Sequence, residues 1–374
     1  MAGERTAERV RRLIADSGIT QAEFAARAGL DSPKMSKSLS GIRRFTSLDL
    51  ARIADVGGVS VDWLLGGDST VPSLAARTSM ASSTSSDTAI REAERLAQIR
   101  ADLAFLGYRQ ELSAFAPVLK AGRPIDQGRN LAAEARDLAR SGGIDPCRRR
   151  DLSEVIEDLF GVDVAIVRLP DGFDGLAYAD EQTRLMVIGT SEVPARQRFT
   201  IAHELAHLLT GDNQGLHLDA DLHDSVHKQQ PSEIRANAFA AEFLLPAEIL
   251  REEDARLTWS ETAFAKLACR FWVSPSTLAW RLFNLGLIDR RLCDSFRSLN
   301  AGQAAHLADA VDVLAEWIES ASRPRTPASL VRGTFQAYAD GKATLRPYAN
   351  LIGVDTATLR QAISETREES PLGS

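Results

Sequence analysis

Along most of the chain apolar residues recur at three-to-four spacing, which predicts helices from end to end with a short interruption near the middle. Val10, Leu13 and Ile14 mark the first helix face. Thr20 then precedes Gln21–Ala28 with Glu23 at the third helical position, the arrangement of a capping box. Gly29 and Leu30 make a turn, and Asp31 opens a second helix to Leu39 with Pro33 tolerated in its first turn. Ser47–Ala54 and Val61–Leu65 complete a bundle over residues 1–67. Residues 68–88 lose the pattern: Ser, Thr, Ala and Gly dominate, and such a segment cannot bury enough apolar surface to fold alone. It reads as a flexible tether. Ala93, Leu96, Ile99, Leu103 and Leu106 restore the helical period in a connector over residues 89–127, helical from Ala89 to Leu119. That helix reads equally as a coiled dimerisation arm or as a helix packed on the core formed by later residues.

Leu131–Ala139 and Leu152–Phe160 are amphipathic helices, after which the period changes to that of strands. Val162–Val167, Gly175–Asp180 and Arg184–Ile188 read as three strands, the last two joined by the turn Asp180–Thr183. The fold class expected is mainly α with a small antiparallel sheet (α+β), the sheet offering an edge to an extended peptide. Beyond it, Phe199–Leu209 is apolar on nearly every side and so should be a buried helix. Ser232–Leu245 reads as a helix entered after Pro231, capped by Ser232 and stopped before Pro246. Two later stretches, Phe264–Leu278 and Tyr348–Leu359, echo the helix–turn–helix pattern of the amino terminus. Trp272 and Trp280 point to structure rather than nucleic-acid contact in the first of them. Residues 128–250 then form a core, 251–290 a helical unit packed on it, and 291–374 a helical accessory module for sensing or assembly.

Chemistry concentrates in the buried helix, where His203-Glu204-Leu205-Ala206-His207 gives the pattern H-E-x-x-H. At about 100° per residue, histidines four apart lie roughly 40° apart on one face, so both imidazoles can reach a single zinc ion. Glu204 lies beside them, placed to take a proton from a water next to the ion. The bland alternative is a pair of core histidines; burying two imidazoles and a carboxylate without partners is expensive, and a metal removes that cost. A peptidase centre needs a third protein ligand. The extended form with Gly and His downstream is excluded, because Thr210 and Asn213 occupy those positions. In the following helix Glu233 shares a face with Ala236, Asn237, Ala240 and Ala241, small enough to let it approach the histidine helix. Glu242 projects about half a turn away from Glu233. Glu233 is the ligand expected, against a solvated helix-start acid as the alternative. Asn237, one turn on, is a candidate to orient a ligand. Oxyanion stabilisers remain open among Tyr178, His217, His223, His227 and Arg198. The segment from Gly211 to Gln230 reads as a polar loop, with a mobile lid or a second metal surface as alternatives.

Arg198–His207 followed by Glu233–Pro246 resembles the ImmA/IrrE metallopeptidases over roughly residues 128–290. The resemblance implies a zincin-like core with Zn2+ on His203, His207 and Glu233 and Glu204 as general base. It also implies a switch that cuts or inactivates a helix-turn-helix repressor or antitoxin-like regulator in response to stress or mobile-element signals. Residues 1–67 resemble the Xre/Cro-like repressor domain. That likeness implies that Gln21 touches the DNA backbone, that Ser32, Lys34, Met35, Lys37 and Ser38 face the major groove, and that Arg43 and Arg44 hold phosphates. The chain carries a net charge of −7, which excludes a protein coating nucleic acid over its whole surface. Residues 1–67 nevertheless hold ten Lys and Arg against eight Asp and Glu. One such domain binds weakly at cellular salt, so a homodimer on a double-stranded operator is expected. The 3 cysteines, Cys147, Cys269 and Cys293, are scattered and odd in number, as in a reducing cytoplasm. No apolar run reaches membrane-spanning length. The expectation is a regulated zinc endopeptidase fused to its own DNA reader, cutting a repressor, an antitoxin-like partner or itself, with a closed resting cleft. A regulator whose metal site only senses or scaffolds is the competing reading.

Overall fold

The computed structural model describes residues 2–57, 61–65, 84–113, 115, 121–169, 173–180, 183–211, 215–219 and 230–368. It divides into two compact units, Met1–Ser73 and Leu74–Ser374. Most of the tether expected over 68–88 lies outside the described residues, although a helix has already begun at Thr84.

The first unit holds α1 (Ala2–Asp16), α2 (Gln21–Arg27), α3 (Ser32–Leu39), α4 (Ser47–Gly57) and α5 (Val61–Leu64). Thr20 caps α2 as expected, its hydroxyl accepting the Glu23 N–H at 3.3 Å. Val10, Phe24, Met35, Leu39, Ile53 and Leu64 form the core. Two expectations for α3 need correction. Met35 is fully buried and Ser38 nearly so, hence neither faces outward. Met35 lies four residues before Leu39, and that spacing puts both on the core side of an eight-residue helix. Ser38 accepts a hydrogen bond from Arg43, and Arg43 also pairs with Asp49 at 2.8 Å, so its guanidinium braces the end of α3 against α4. Gln21, Ser32, Lys34, Lys37 and Arg44 are exposed. Lys34 pairs with Asp31 at 2.9 Å.

In the second unit α6 (Thr84–Phe105) ends earlier than Leu119. The chain then runs extended, with Gln110 donating to the carbonyls of Gly161 at 2.7 Å and Arg184 at 2.8 Å. Ala89, Ala93 and Leu96 are buried, and Arg100 makes a buried ion pair with Asp163 at 2.6 Å. These contacts pack α6 on the core. Next come α7 (Pro124–Ser141), a 3-10 turn at Pro146–Arg148, and α8 (Leu152–Phe160), capped by Asp151 accepting from Glu154 N–H at 3.1 Å.

The sheet has β1 (Asp163–Val167), β2 (Gly175–Ala179), β3 (Arg184–Gly189) and β4 (Gly215–Asp219), in the order β1-β3-β2-β4. It is mixed, which corrects the antiparallel sheet expected. β2 pairs antiparallel with β3 and β4, whereas β1 runs parallel to β3, with Asp163 opposite Leu185. The supposed loop after Gly211 likewise contains a strand. β1 is bridged on its outer side by Arg325 through Ile166, so among the described residues the open edge is β4.

Between β3 and β4 lies α9 (Pro194–Thr210), and after β4 comes α10 (Pro231–Leu244). Pro194 opens α9; Gly211, at φ 62°, stops it in a left-handed conformation that suits glycine. Gln230, not Ser232, is the N-cap of α10, because Pro231 takes the first helical position. α10 lies between α7 and α9. Phe160, Met186, Leu205, Phe239 and Phe243 fill the core they share with α8 and the sheet.

The remaining helices are α11 (Ala247–Asp254), α12 (Glu261–Arg270), α13 (Pro275–Asn284), α14 (Arg290–Arg297), α15 (Ala301–Leu307), α16 (Val311–Ala321), α17 (Ala328–Ala339), α18 (Leu345–Ile352) and α19 (Thr356–Glu368). Phe264, Phe271, Leu278 and Phe296 hold α12–α14 together. Trp272 packs edge-on against Trp317. Between α15 and α16 the chain turns at Asp309, which has a φ of 56°. The carboxy-terminal helices belong to the same unit as the core: Arg325 pairs with buried Glu157 at 2.7 Å, and Ser329 donates to Asp163. The cysteines are free; burial pushes the Cys147 thiol up to about 12, so it stays protonated at neutral pH. No described helix is long and apolar enough to cross a membrane.

Candidate metal centre

The interior position of α9 follows from its sequence: Thr200 through Leu209 are all buried, the two histidines and Glu204 among them. Helical spacing stacks His203 and His207 on one side, with ring centroids 4.9 Å apart and Nε2 atoms 3.1 Å apart. α10 brings the third group. Glu233 Oε2 lies 3.3 Å from His203 Nε2, and Glu233 Oε1 lies 3.4 Å from His207 Nε2. Among the described residues these three side chains form the cluster whose donor atoms all lie within 4.8 Å of one another.

The donor set fits a divalent metal. Ligands about 2.0–2.1 Å from a tetrahedral centre stand roughly 3.3 Å apart, and the separations here are 3.1, 3.3 and 3.4 Å. His203 Nδ1 faces Asn237 Oδ1 at 3.2 Å. An amide oxygen only accepts, so Nδ1 carries the proton and Nε2 presents its lone pair to the cluster. Electron-rich atoms brought this close in a buried site repel one another, and a cation among them reverses the sign.

The approach of α10 depends on α7. A Cβ on Gly128 would come within 2.2 Å of the Arg235 carbonyl oxygen and 2.9 Å of the Phe239 nitrogen. Only glycine permits that contact, and the turn of α10 that touches it follows Glu233 directly. Gln127 accepts from Arg235 at 2.9 Å beside it. Gly128 is absent from the residues singled out by sequence, although a lone glycine within a helical pattern is the available signal. Glu242, set aside as a ligand, is engaged elsewhere, with Arg281 and the Ala247 N–H.

The oxyanion candidates separate. Arg198 is buried and donates to the carbonyls of Pro146 at 2.7 Å and Phe271 at 3.3 Å, which corrects its assignment: it staples α9 to neighbouring loops. Tyr178, on β2, donates its hydroxyl to Asp180 at 2.7 Å. His217 stands on β4 opposite Ala177, its backbone placed beside β2. His223 and His227 lie outside the described residues.

Comparison with known proteins covers the same segment. Residues 157–283 match the family model described as the IrrE N-terminal-like domain. The chain is 34% identical over 154 residues to the radiation response metalloprotease IrrE of Deinococcus deserti, covering 40% of this chain and 52% of that protein. It is 32% identical over 151 residues to the protein of the same name from Deinococcus radiodurans, covering 40% of this chain and 45% of that one. The chain therefore spans about half the length of the curated relatives it matches. The matched segment is metallopeptidase-like, and the candidate ligands and Glu204 all fall inside it.

Proposed function

We propose that the chain is a zinc-dependent endopeptidase that cleaves a regulatory protein, carried on the same polypeptide as a helix-turn-helix DNA reader. The observation that carries the peptidase half is the buried triangle of His203, His207 and Glu233 with Glu204 on the same helix as the histidines. Zinc suits two imidazoles and a carboxylate with a fourth position left open; held there, it would supply positive charge to polarise a scissile carbonyl and to acidify a water. Glu204 takes the proton of the attacking water and returns it to the leaving amine. Asn237 holds His203 in the tautomer that leaves Nε2 unprotonated. β4, as the open edge, offers main-chain hydrogen bonds to an extended substrate segment. The relatives are named radiation response metalloproteases, which supports a stress-linked role; a repressor or antitoxin-like protein is the substrate this reading assigns.

The reader half rests on exposed Gln21, Ser32, Lys34, Lys37 and Arg44 around a short turn between two helices. Binding an operator as a homodimer, it would raise the local concentration of peptidase beside a repressor to about the millimolar range. A closed resting cleft would then spare the target until a signal arrives.

The test compares purified wild type with Glu204→Gln, using mass spectrometry on candidate repressors and on the chain itself. Glu204→Gln should keep its metal and lose cleavage by about 10²-fold or more. Equal cleavage by the two proteins would refute the assignment. Regulation left intact in cells carrying Glu204→Gln would favour a metal site that only senses.

A further inference from the structure

Behind the metal centre, on the other side of α9, lies a cavity of about 340 Å³, within the range of roughly 300–1,000 Å³ usual for small-ligand sites. Pro194, Gln197, Arg198 and Ile201 supply its α9 wall. Ile201 lies about 160° around the helix from His203, so this space is separate from the metal side. The start of α8 forms a second wall, and α16 with the turn to Arg325 forms the third. That third wall comes from beyond the segment that matches the metalloprotease family. It is fastened to the first turns of α9: Gln197 Nε2 donates to the carbonyls of Gly189 at 2.8 Å and Ala321 at 2.9 Å, and Ser191 N–H donates to Ala321 at 3.0 Å.

Among the described residues, the charges around the cavity leave one cation, Arg198, with Asp145 acting on it but no acid within ion-pairing distance. Arg150 pairs with Glu316 at 3.1 Å, Arg323 with Glu319, and Arg325 with Glu157 at 2.7 Å. Arg198 is only 2% exposed and bonds only to backbone carbonyls, and its Nε has no hydrogen-bond partner among the described residues. Burial pulls its pKa down to about 10, against the nearby Cys147 and Asp145, which act in the opposite direction. Buried charges are ordinarily paired. The amino-terminal ends of α8 and α9 open on the same space, each adding partial positive charge, offset at α8 by the cap Asp151. Ser153 and Ser320 add hydroxyl donors and Trp317 a flat apolar wall.

We propose that this cavity binds a small molecule bearing an oxyanion, phosphate or carboxylate, and that the ligand bridges α16 to the first turns of the helix that carries His203 and His207. Such a ligand would place a negative charge near Arg198, which has no ion-pair partner of its own among the described residues. It would also draw the carboxy-terminal helices against the peptidase helix, a route by which a metabolite could govern cleavage. Only that last consequence rests on the peptidase reading; the binding does not.

Binding is tested on the full chain by calorimetry and thermal shift, with ionic strength held constant by sodium chloride. The probes are sodium phosphate, glycerol phosphate and succinate. At least one should bind saturably, and the ranking of phosphate, phosphomonoester and dicarboxylate tells which source of the oxyanion the site prefers. Ser320→Trp, an exposed position on α16 that would fill the cavity, should weaken binding by about tenfold or more while leaving metal content unchanged. Arg198→Met should do the same; where it fails to fold, Ser320→Trp decides, with circular dichroism as the control. No saturable binding of any of the three probes to wild type would overturn the proposal. Unchanged binding to folded Ser320→Trp would overturn it too, since the anion would then sit elsewhere, the metal included.

Discussion

Asn237 touches the metal cluster through a single contact, Oδ1 to His203 Nδ1 at 3.2 Å. Removing it frees the imidazole to rotate or to change tautomer, and losses of this kind typically cost about 10- to 100-fold in metal affinity. Asn237→Ala should therefore weaken metal binding by that factor in a competition titration, with little change in helix content. An unaltered affinity would assign Asn237 to packing alone. At this scale much is legible in the sequence. The histidine pair needs only local helix geometry, and Glu233 follows from the small residues on its face. The likeness to a DNA reader points Met35 and Ser38 outward, yet the spacing of Met35 from Leu39 already places it on the core side. Arg198 escapes a sequence reading for another reason: its partners are carbonyls of loops far along the chain, and no local pattern encodes them.

Among the elements, α7 shows how a helix without ligands of its own can hold a site in place. It supports α10 at Gly128, where a methyl group would meet the Arg235 carbonyl oxygen at 2.2 Å. Gly128→Ala must push α10 away or bend α7; overpacking of this kind costs roughly 1–3 kcal/mol. We expect a lower melting temperature together with weaker metal binding, because Glu233 moves with α10. A drop in stability with metal affinity intact would mean that the α7 contact does not position Glu233. The helices themselves are largely readable from periodicity and caps, and Thr20 caps α2 as its sequence suggests. The sheet is less so. A hairpin such as β2–β3 is local, whereas parallel β1–β3 pairing joins strands across an intervening one and leaves no short-range signature. β4 does carry a signal, Leu216 and Leu218 alternating with His217 and Asp219, but it is short and set among polar residues.

For the whole molecule, the proposed reader and the proposed peptidase fall in different compact units. Arg44→Gln and Lys37→Ala, both at exposed positions in the first unit, should each lower operator affinity and reduce the slope of log affinity against log salt by about 1. Neither should alter metal content or cleavage. A salt slope unmoved by both would turn the first unit from a DNA reader into a docking bundle. The incorporation of residues 301–353 into the peptidase unit is not legible in the sequence, because it depends on ion pairs such as Arg325 with Glu157 that span more than half of that unit. Composition can identify those helices but not what they hold.

The expectations for metal affinity and cleavage depend on one ion held by His203, His207 and Glu233. The most direct measurement is metal content of the purified chain by mass spectrometry, with X-ray absorption at the zinc edge, for wild type, His203→Ala and Glu233→Ala. The account predicts close to one zinc per chain in wild type, an absorption signature of two imidazoles with oxygen, and loss of tight binding in both variants. A metal-free wild type, or zinc retained unchanged in His203→Ala, would contradict it.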